Sequence, residues 1–470
     1  MIMARHRGFV ILLLAVLMAR LFSLGLVQID HPERVITMDG RTYLEAAEAL
    51  LATGGFAQSP REPLAPQTVR TPGYTVFLAL GQILFAGNLG LTMVLQVLVS
   101  LAPLVTAYAL STRFWSRRAG LIAAWFLALD PTGFVFTQLV QTETLFAALL
   151  ALALWAGVRL AEGDPPGPRL TLALGAGLAL ATLVRPISYY LIWPILLWFI
   201  LLLRGRDSRP GRIARLVLLL LLPWVLLIGG WQVRNQLVSG SSQFSHIQAI
   251  NFLSYRAAAV VAARDGLSLE QAQARLKAEA DRQTDPRWPS GKRFDLYQRL
   301  GVGVLLDHPW LTIWTSLKGL GHVLFNPVDP TFFDFYGGNS DQALSLGDLW
   351  RLSWPELRQR AQDGGMVYLM ANLLFCGLLL MLYATAGIGA LDAARNHRPR
   401  LAAHLLLWLA ILYLLSVSAG PEGGARFRIP MLAFLALYAG RGGDLILGRL
   451  RAQVRPARLP KQKTGFAPPP

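Results

Sequence analysis

Charge is scarce in this sequence, and negative charge scarcest. There are 27 Asp and Glu against 44 Lys and Arg, and charged residues make up only 15% of 470 positions. With 54% of positions hydrophobic, so little charge excludes a water-soluble globular chain. Cysteine is nearly absent: Cys376 stands alone inside an apolar run, which excludes an intramolecular disulfide as a staple for the loops. The seven histidines (6, 31, 246, 308, 322, 397 and 404) show no ligand spacing, so they build no zinc site. No repeat of fixed period occurs.

Apolar length is what the chain has in abundance. Runs of membrane-spanning character cover about 8–29, 90–112, 119–131, 143–160, 170–184, 187–203, 213–233, 366–390, 401–419 and 427–447. They predict an all-α polytopic membrane protein of about ten transmembrane helices. Arg5, His6 and Arg7 precede the first run as they would in a signal peptide. That run is too long for a signal sequence and no small-residue cleavage site follows, so it reads as an uncleaved anchor.

A net charge of +17 would suit nucleic-acid binding if it were spread over a surface. It is not. With the N-terminus inside and the runs alternating, the inner segments are 1–7, 113–118, 159–169, 204–215, 392–400 and 441–463; they hold 22 of the 44 basic residues against five acidic ones. This positive-inside bias orients the chain and removes the need for a nucleic-acid partner. It also decides two short apolar stretches, 72–87 and 309–325. Letting only the first cross would carry Arg113, Arg117 and Arg118 outside, so both read as interfacial or re-entrant juxtamembrane helices on the outer face. Twelve crossings is the alternative count. Residues 1–447 then form a single transmembrane domain with outer loops at 30–89 and 234–365, followed by a basic, disordered cytoplasmic tail at 448–470.

The two outer loops carry the polar chemistry. In loop one, Asp39 reads as the N-cap of an amphipathic helix over 40–53 with Tyr43, Ala47, Leu50 and Leu51 on one face, ended by Gly54-Gly55. Arg70-Thr71-Pro72-Gly73-Tyr74 then opens the first interfacial helix. In loop two, Ser268-Leu269-Glu270-Gln271 reads as a capping box before a polar helix to about Arg282, and the loop has the length of a lid or small cap. Short turns return Asp130, Glu143, Arg185, Arg234-Asn235 and Arg426-Phe427-Arg428 to the side that holds Asp39.

In order and sidedness these motifs resemble the multi-spanning glycosyltransferases of the C-type superfamily, nearest to the protein O-mannosyltransferase and aminoarabinose lipid A transferase branch. The matching residues are Asp39 with Tyr43, Arg70–Tyr74, Thr142–Phe146, Leu183–Pro186, Trp231–Asn235 and Arg426–Pro430. They span most of 30–235 and the last outer turn, whereas 240–365 matches nothing in the pattern. The resemblance implies transfer of a sugar (a hexose or a pentose) from a polyprenyl-phosphate carrier to a lipid, glycan or protein hydroxyl. Transfer would occur with inversion, at the outer face of a bacterial inner membrane.

Such transfer needs a carboxylate to take or orient the acceptor proton and cations to stabilise the departing phosphate. Asp39 and Glu143 are the catalytic candidates. Tyr43, Arg70, Arg185, Arg234, Asn235, Arg426 and Arg428 are the substrate-binding candidates, since guanidinium forks suit phosphate and stay charged. No cofactor is firmly implied: arginines suffice for a monophosphate, and a divalent metal is compatible with a pyrophosphate carrier. His246 and Asp329 are minor candidates in loop two.

Each residue also has a plainer reading. Asp39 serves as a helix cap, Glu143 as a first-turn acid favoured by the helix dipole, and the arginines as headgroup anchors. Arg20, inside the first span, snorkels outward, and Gly175/Gly177 mark close helix packing. Two other membrane functions compete. A flippase or transporter of lipid-linked glycan needs ionisable groups deep in several spans, and Arg20 alone lies there. An O-antigen ligase or polymerase would attack a pyrophosphate-linked glycan.

Overall fold

The computed structural model describes residues 6–62, 65–163, 167–206, 209–338, 353–360 and 365–454. Among these the chain is helical throughout, with one isolated antiparallel bridge between Ala57 and Pro66. Seven helices are long and apolar enough to cross a membrane: Arg7–Asp30, Leu89–Phe114, Glu143–Glu162, Pro210–Ser239, Met366–Asn396, Arg398–Ser418 and Ala425–Gln453. Three further runs expected as crossings form shorter helices, Arg117–Ala128, Pro168–Val184 and Ile192–Arg204. Asp130-Pro131 and Arg185-Pro186 cut two of these, because proline cannot continue a helix across its missing N–H. The chain is an all-α polytopic protein. The last helix continues to Val454, past the boundary expected at 447, and 455–470 lie outside the described residues.

Among the described residues, two groups of ion pairs join helices and turns of the bundle, beside others in loop two. In one, Glu162 pairs with Arg113 and Arg400, Arg118 with Asp444, and Arg441 with Asp392. These are the segments with the basic excess. In the other, Asp39 meets Arg70 and Arg426, and Glu143 meets Arg185. Glu143–Glu162 is the central helix, far more deeply buried than Pro210–Ser239. A carboxylate at its first residue is therefore drawn into the middle of the assembly.

Small residues set the approach of the elements around that carboxylate. Helix Met38–Thr53 is capped by Thr37, whose hydroxyl accepts from Gly40 N at 2.9 Å, and it ends at left-handed Gly54 (φ 72°). This corrects the reading of Asp39 as the cap: Asp39 lies in the first turn, and Thr37 takes the capping role, leaving the Asp39 carboxylate for other partners. Gln141 Nε2 donates to the same Thr37 hydroxyl at 2.6 Å, and a Cβ on Gly40 would run into the Val140 carbonyl. Helix Pro72–Leu84 begins with proline and lies against the end of Pro168–Val184, where Thr71 Oγ1 donates to Val184 O at 3.1 Å.

A Cβ on Gly73 would lie 2.7 Å from Leu183 C and Val184 N, closer than backbone can yield. Gly73→Ala is therefore expected to cost about 1–3 kcal/mol as an overpacking substitution. Thermal unfolding in detergent would read this, and an unshifted midpoint would contradict the close approach.

Loop two is a helical cap with its own small cores. Ser268 and Gln271 form the expected capping box for Leu269–Gln283. Ala249, Leu253, Ala280 and Tyr297 make one core, and Ala258, Val261 and Ala272 another. Helix Pro309–Phe325 buries Thr315, Gly319 and Val323 and leaves an apolar face of Trp310, Ile313, Trp314 and Leu317 exposed.

Candidate functional site

Two packing contacts bring the polar groups together. Docking of the Met38 helix on Val140-Gln141 sets Asp39 beside the turn that precedes Glu143, and docking of Thr71 and Gly73 on Leu183-Val184 brings the segment of Arg70 to the helix end that Arg185 follows. Arg70 Nη2 donates to Asp39 Oδ1 at 2.6 Å and Arg70 Nε to Thr42 Oγ1 at 3.0 Å. Its guanidinium lies 5.1 Å over the Tyr43 ring. Arg426 Nη1 reaches the second oxygen, Asp39 Oδ2, at the longer distance of 3.3 Å. Glu143, with its side chain 1% exposed, holds Arg185 Nη1 at 2.5 Å. Phe427 joins the two halves, its ring 5.0 Å from the Arg185 guanidinium and 5.4 Å from that of Arg426.

Burial pushes the Asp39 carboxyl up, but Arg70 and Arg426 outweigh it, so the group titrates below its ordinary value. Asp39 is therefore a carboxylate at any neutral pH. The charges of Asp39, Glu143 and Asp329 all act on Arg426. Among the described residues no group of three or more His, Cys, Asp or Glu could hold a metal ion. Both cluster carboxylates already face guanidinium groups, a setting unfavourable to a divalent cation.

Three of the expected donor ligands bond to backbone carbonyls instead of to Asp39 or Glu143. Arg234 donates to Gln67 O at 2.6 Å and Phe56 O at 2.7 Å, and stacks on Trp231. Asn235 is fully buried and donates to Gln243 O at 2.9 Å and Phe244 O at 3.2 Å. Arg428, also fully buried, donates to Val323 O at 2.7 Å and Asn326 O at 3.1 Å. These side chains tie loop backbones to the bundle, because buried carbonyls outside helices need donors.

Arg20 does not snorkel. It is 4% exposed and donates to Ser100 Oγ at 2.6 Å. With Ser100, Asp130, Thr137 and Thr144 it lines a cavity of about 50 Å³ that no residue of the Asp39 cluster lines. Thr42 and Phe427 were not singled out from the sequence. Thr42 carried a signal, lying one helical turn after Asp39 on the same face; Phe427 carried none.

Residues 69–231 match the dolichyl-phosphate-mannose-protein mannosyltransferase family. The matched stretch contains Arg70, Glu143 and Arg185, and it stops short of Arg426 and of loop two. Over that stretch the resemblance drawn from the motifs is borne out. No curated protein sequence matches the chain. Among solved structures, the Archaeoglobus fulgidus oligosaccharyltransferase in complex with Zn and sulfate aligns with 93% of this chain over 50% of its own, at 15% identity and TM-score 0.48. The same organism's AglB, in complex with an inhibitory peptide and a dolichol-phosphate, aligns with 95% over 52%, at 16% identity and TM-score 0.47. ArnT from Cupriavidus metallidurans, bound to undecaprenyl phosphate, aligns with 96% over 82%, at 14% identity and TM-score 0.41. The chain thus spans about half the length of the oligosaccharyltransferases it matches.

Proposed function

We propose that this chain is a membrane glycosyltransferase that moves a sugar from a polyprenyl-phosphate carrier to an acceptor hydroxyl, with inversion, at the outer face of the membrane. One observation carries the reading. Two carboxylates and three guanidinium groups from widely separated parts of the chain form one cluster, and the Asp329 carboxylate also acts on Arg426. A lipid phosphate would engage the guanidinium forks of that cluster.

The distances suggest a division of labour. Arg70 binds Asp39 tightly at 2.6 Å, whereas Arg426 touches it at 3.3 Å and is more exposed, 32% against 16%. Arg426 is thus the group free to turn toward a phosphate, with Arg185 beside it, while Arg70 keeps Asp39 in place. Asp39 would accept the proton of the acceptor hydroxyl as that oxygen attacks the anomeric carbon. The bond from this carbon to the phosphate oxygen breaks, and its electron pair leaves with the phosphate toward Arg185 and Arg426. A single displacement inverts the centre. The family match over 69–231 supports a dolichyl-phosphate-type donor. The basic segments gathered away from the cluster support an inner-membrane protein whose site faces outward.

The test is a panel of labelled polyprenyl-phosphate sugars and lipid, glycan and protein acceptors offered to the purified protein. Transfer from a monophosphate donor is expected without added metal. Transfer only from pyrophosphate-linked glycans would point to a ligase or polymerase instead.

A further inference from the structure

Arg70 is the group that grips Asp39 most tightly, and the short segment carrying it is fastened from loop two. Ser245 Oγ donates to Val69 O at 2.5 Å, and His246 N donates to Thr68 O at 3.1 Å. His246 Nδ1 and Thr68 Oγ1 share a further hydrogen bond of 2.9 Å. Within the segment, Gln67 Oε1 accepts from both Val69 N and Arg70 N at 3.0 Å, so the turn that aims Arg70 is rigid up to Thr68. His246 is fully buried, and its ring stacks on Phe294 at 4.4 Å.

Burial, partly opposed by Asp295, lowers the imidazole to about 4, so the ring is neutral and its bond to Thr68 persists across neutral pH. An apolar pair of the same shape would pack here with little loss of stability, since burying two polar groups is only balanced by pairing them. What the pair adds is direction: it fixes the side chain and carbonyl of a residue two positions from Arg70. His246 lies beyond the stretch that matches the family.

We infer that His246 is a positioning residue, which acts through Thr68 to hold Arg70 against Asp39 and so couples loop two to the carboxylate. This rests on the proposed role of the Asp39 cluster. The substitutions His246→Phe, which keeps the stack on Phe294, and Thr68→Val each remove the bond while conserving shape. His246→Asn and Thr68→Ser each retain a polar partner.

The readout is carbodiimide labelling of Asp39, a partly exposed carboxylate, in the full chain by mass spectrometry at mildly acidic pH, above the value at which His246 titrates. The reagent takes the protonated acid. Loosening Arg70 raises the Asp39 pKa, so His246→Phe and Thr68→Val should each increase labelling at a fixed acidic pH by about threefold, half a pH unit. The double variant should do no more than either alone. His246→Asn and Thr68→Ser should match the parent, and all variants should unfold at similar temperatures. Parental labelling in His246→Phe and Thr68→Val would overturn the inference if Arg70→Gln does raise labelling. Should Arg70→Gln leave labelling unchanged, Arg70 does not govern Asp39 and the reading of the cluster itself fails.

Discussion

Asp39→Asn is expected to cut sugar transfer by about 10²–10⁴-fold, the usual worth of a positioned proton acceptor, while leaving the protein folded and inserted. The amide keeps an oxygen for Arg70 but can take no proton. Because the folded carboxyl titrates below its ordinary value, its ionised form persists as pH falls and is lost only on passing through that depressed value. Transfer by the parent should therefore stay flat from neutral pH down to the ordinary carboxylate range and fail below it. Near-parental turnover by Asp39→Asn, measured with a labelled donor, would take Asp39 out of the chemistry. A rate that already declines near neutrality would show that another group sets the acid limb.

Arg185→Met is expected to cost about 3–5 kcal/mol of stability, because it removes the one guanidinium in direct contact with the buried Glu143 carboxylate. Glu143 is 1% exposed at the head of the central helix, and Arg185 is 11% exposed, so water cannot take over the role of the guanidinium. Glu143→Gln in the same chain should recover most of the loss, since the uncompensated charge then disappears. Activity should remain low in the double variant, because the proposed mechanism places Arg185 at the phosphate. Denaturation in detergent micelles distinguishes the outcomes: a loss under 1 kcal/mol, or one that grows in the double variant, would show that the pair is not a buried one.

Much of the cluster was legible because of where its residues break the apolar pattern. Glu143 and Arg185 stand at ends of apolar runs, Arg70 precedes a proline-initiated helix, and Asp39 opens an amphipathic one. Alternating topology puts these boundaries on a single side, so their convergence could be expected from it. Arg234 and Arg428 stand at similar boundaries but turn to carbonyls of Phe56, Gln67, Val323 and Asn326. Sequence position does not distinguish a guanidinium facing a carboxylate from one facing a loop backbone, because the acceptors come from residues far away in the chain. Asp39 was mistaken for a cap because Asp is the stronger capping residue by type, while Thr37, two residues earlier, can also cap and does so here. The burial of Arg20 was hidden for a similar reason: Ser100, its hydroxyl partner, sits 80 residues later. Loop two, outside the family match, offered periodicity for its helices but nothing to show that His246 would fasten the segment of Arg70.

The most direct measurement is an experimental structure of the full chain with a polyprenyl monophosphate bound. Its phosphate should lie within hydrogen-bond reach of Arg185 and Arg426, with Arg70 still on Asp39 and the Asp39 carboxylate on the open side of the phosphate. A phosphate seated instead among Arg113, Arg118 and Arg400, or in the cavity beside Arg20, would contradict the assignment of the Asp39 cluster as the site of transfer.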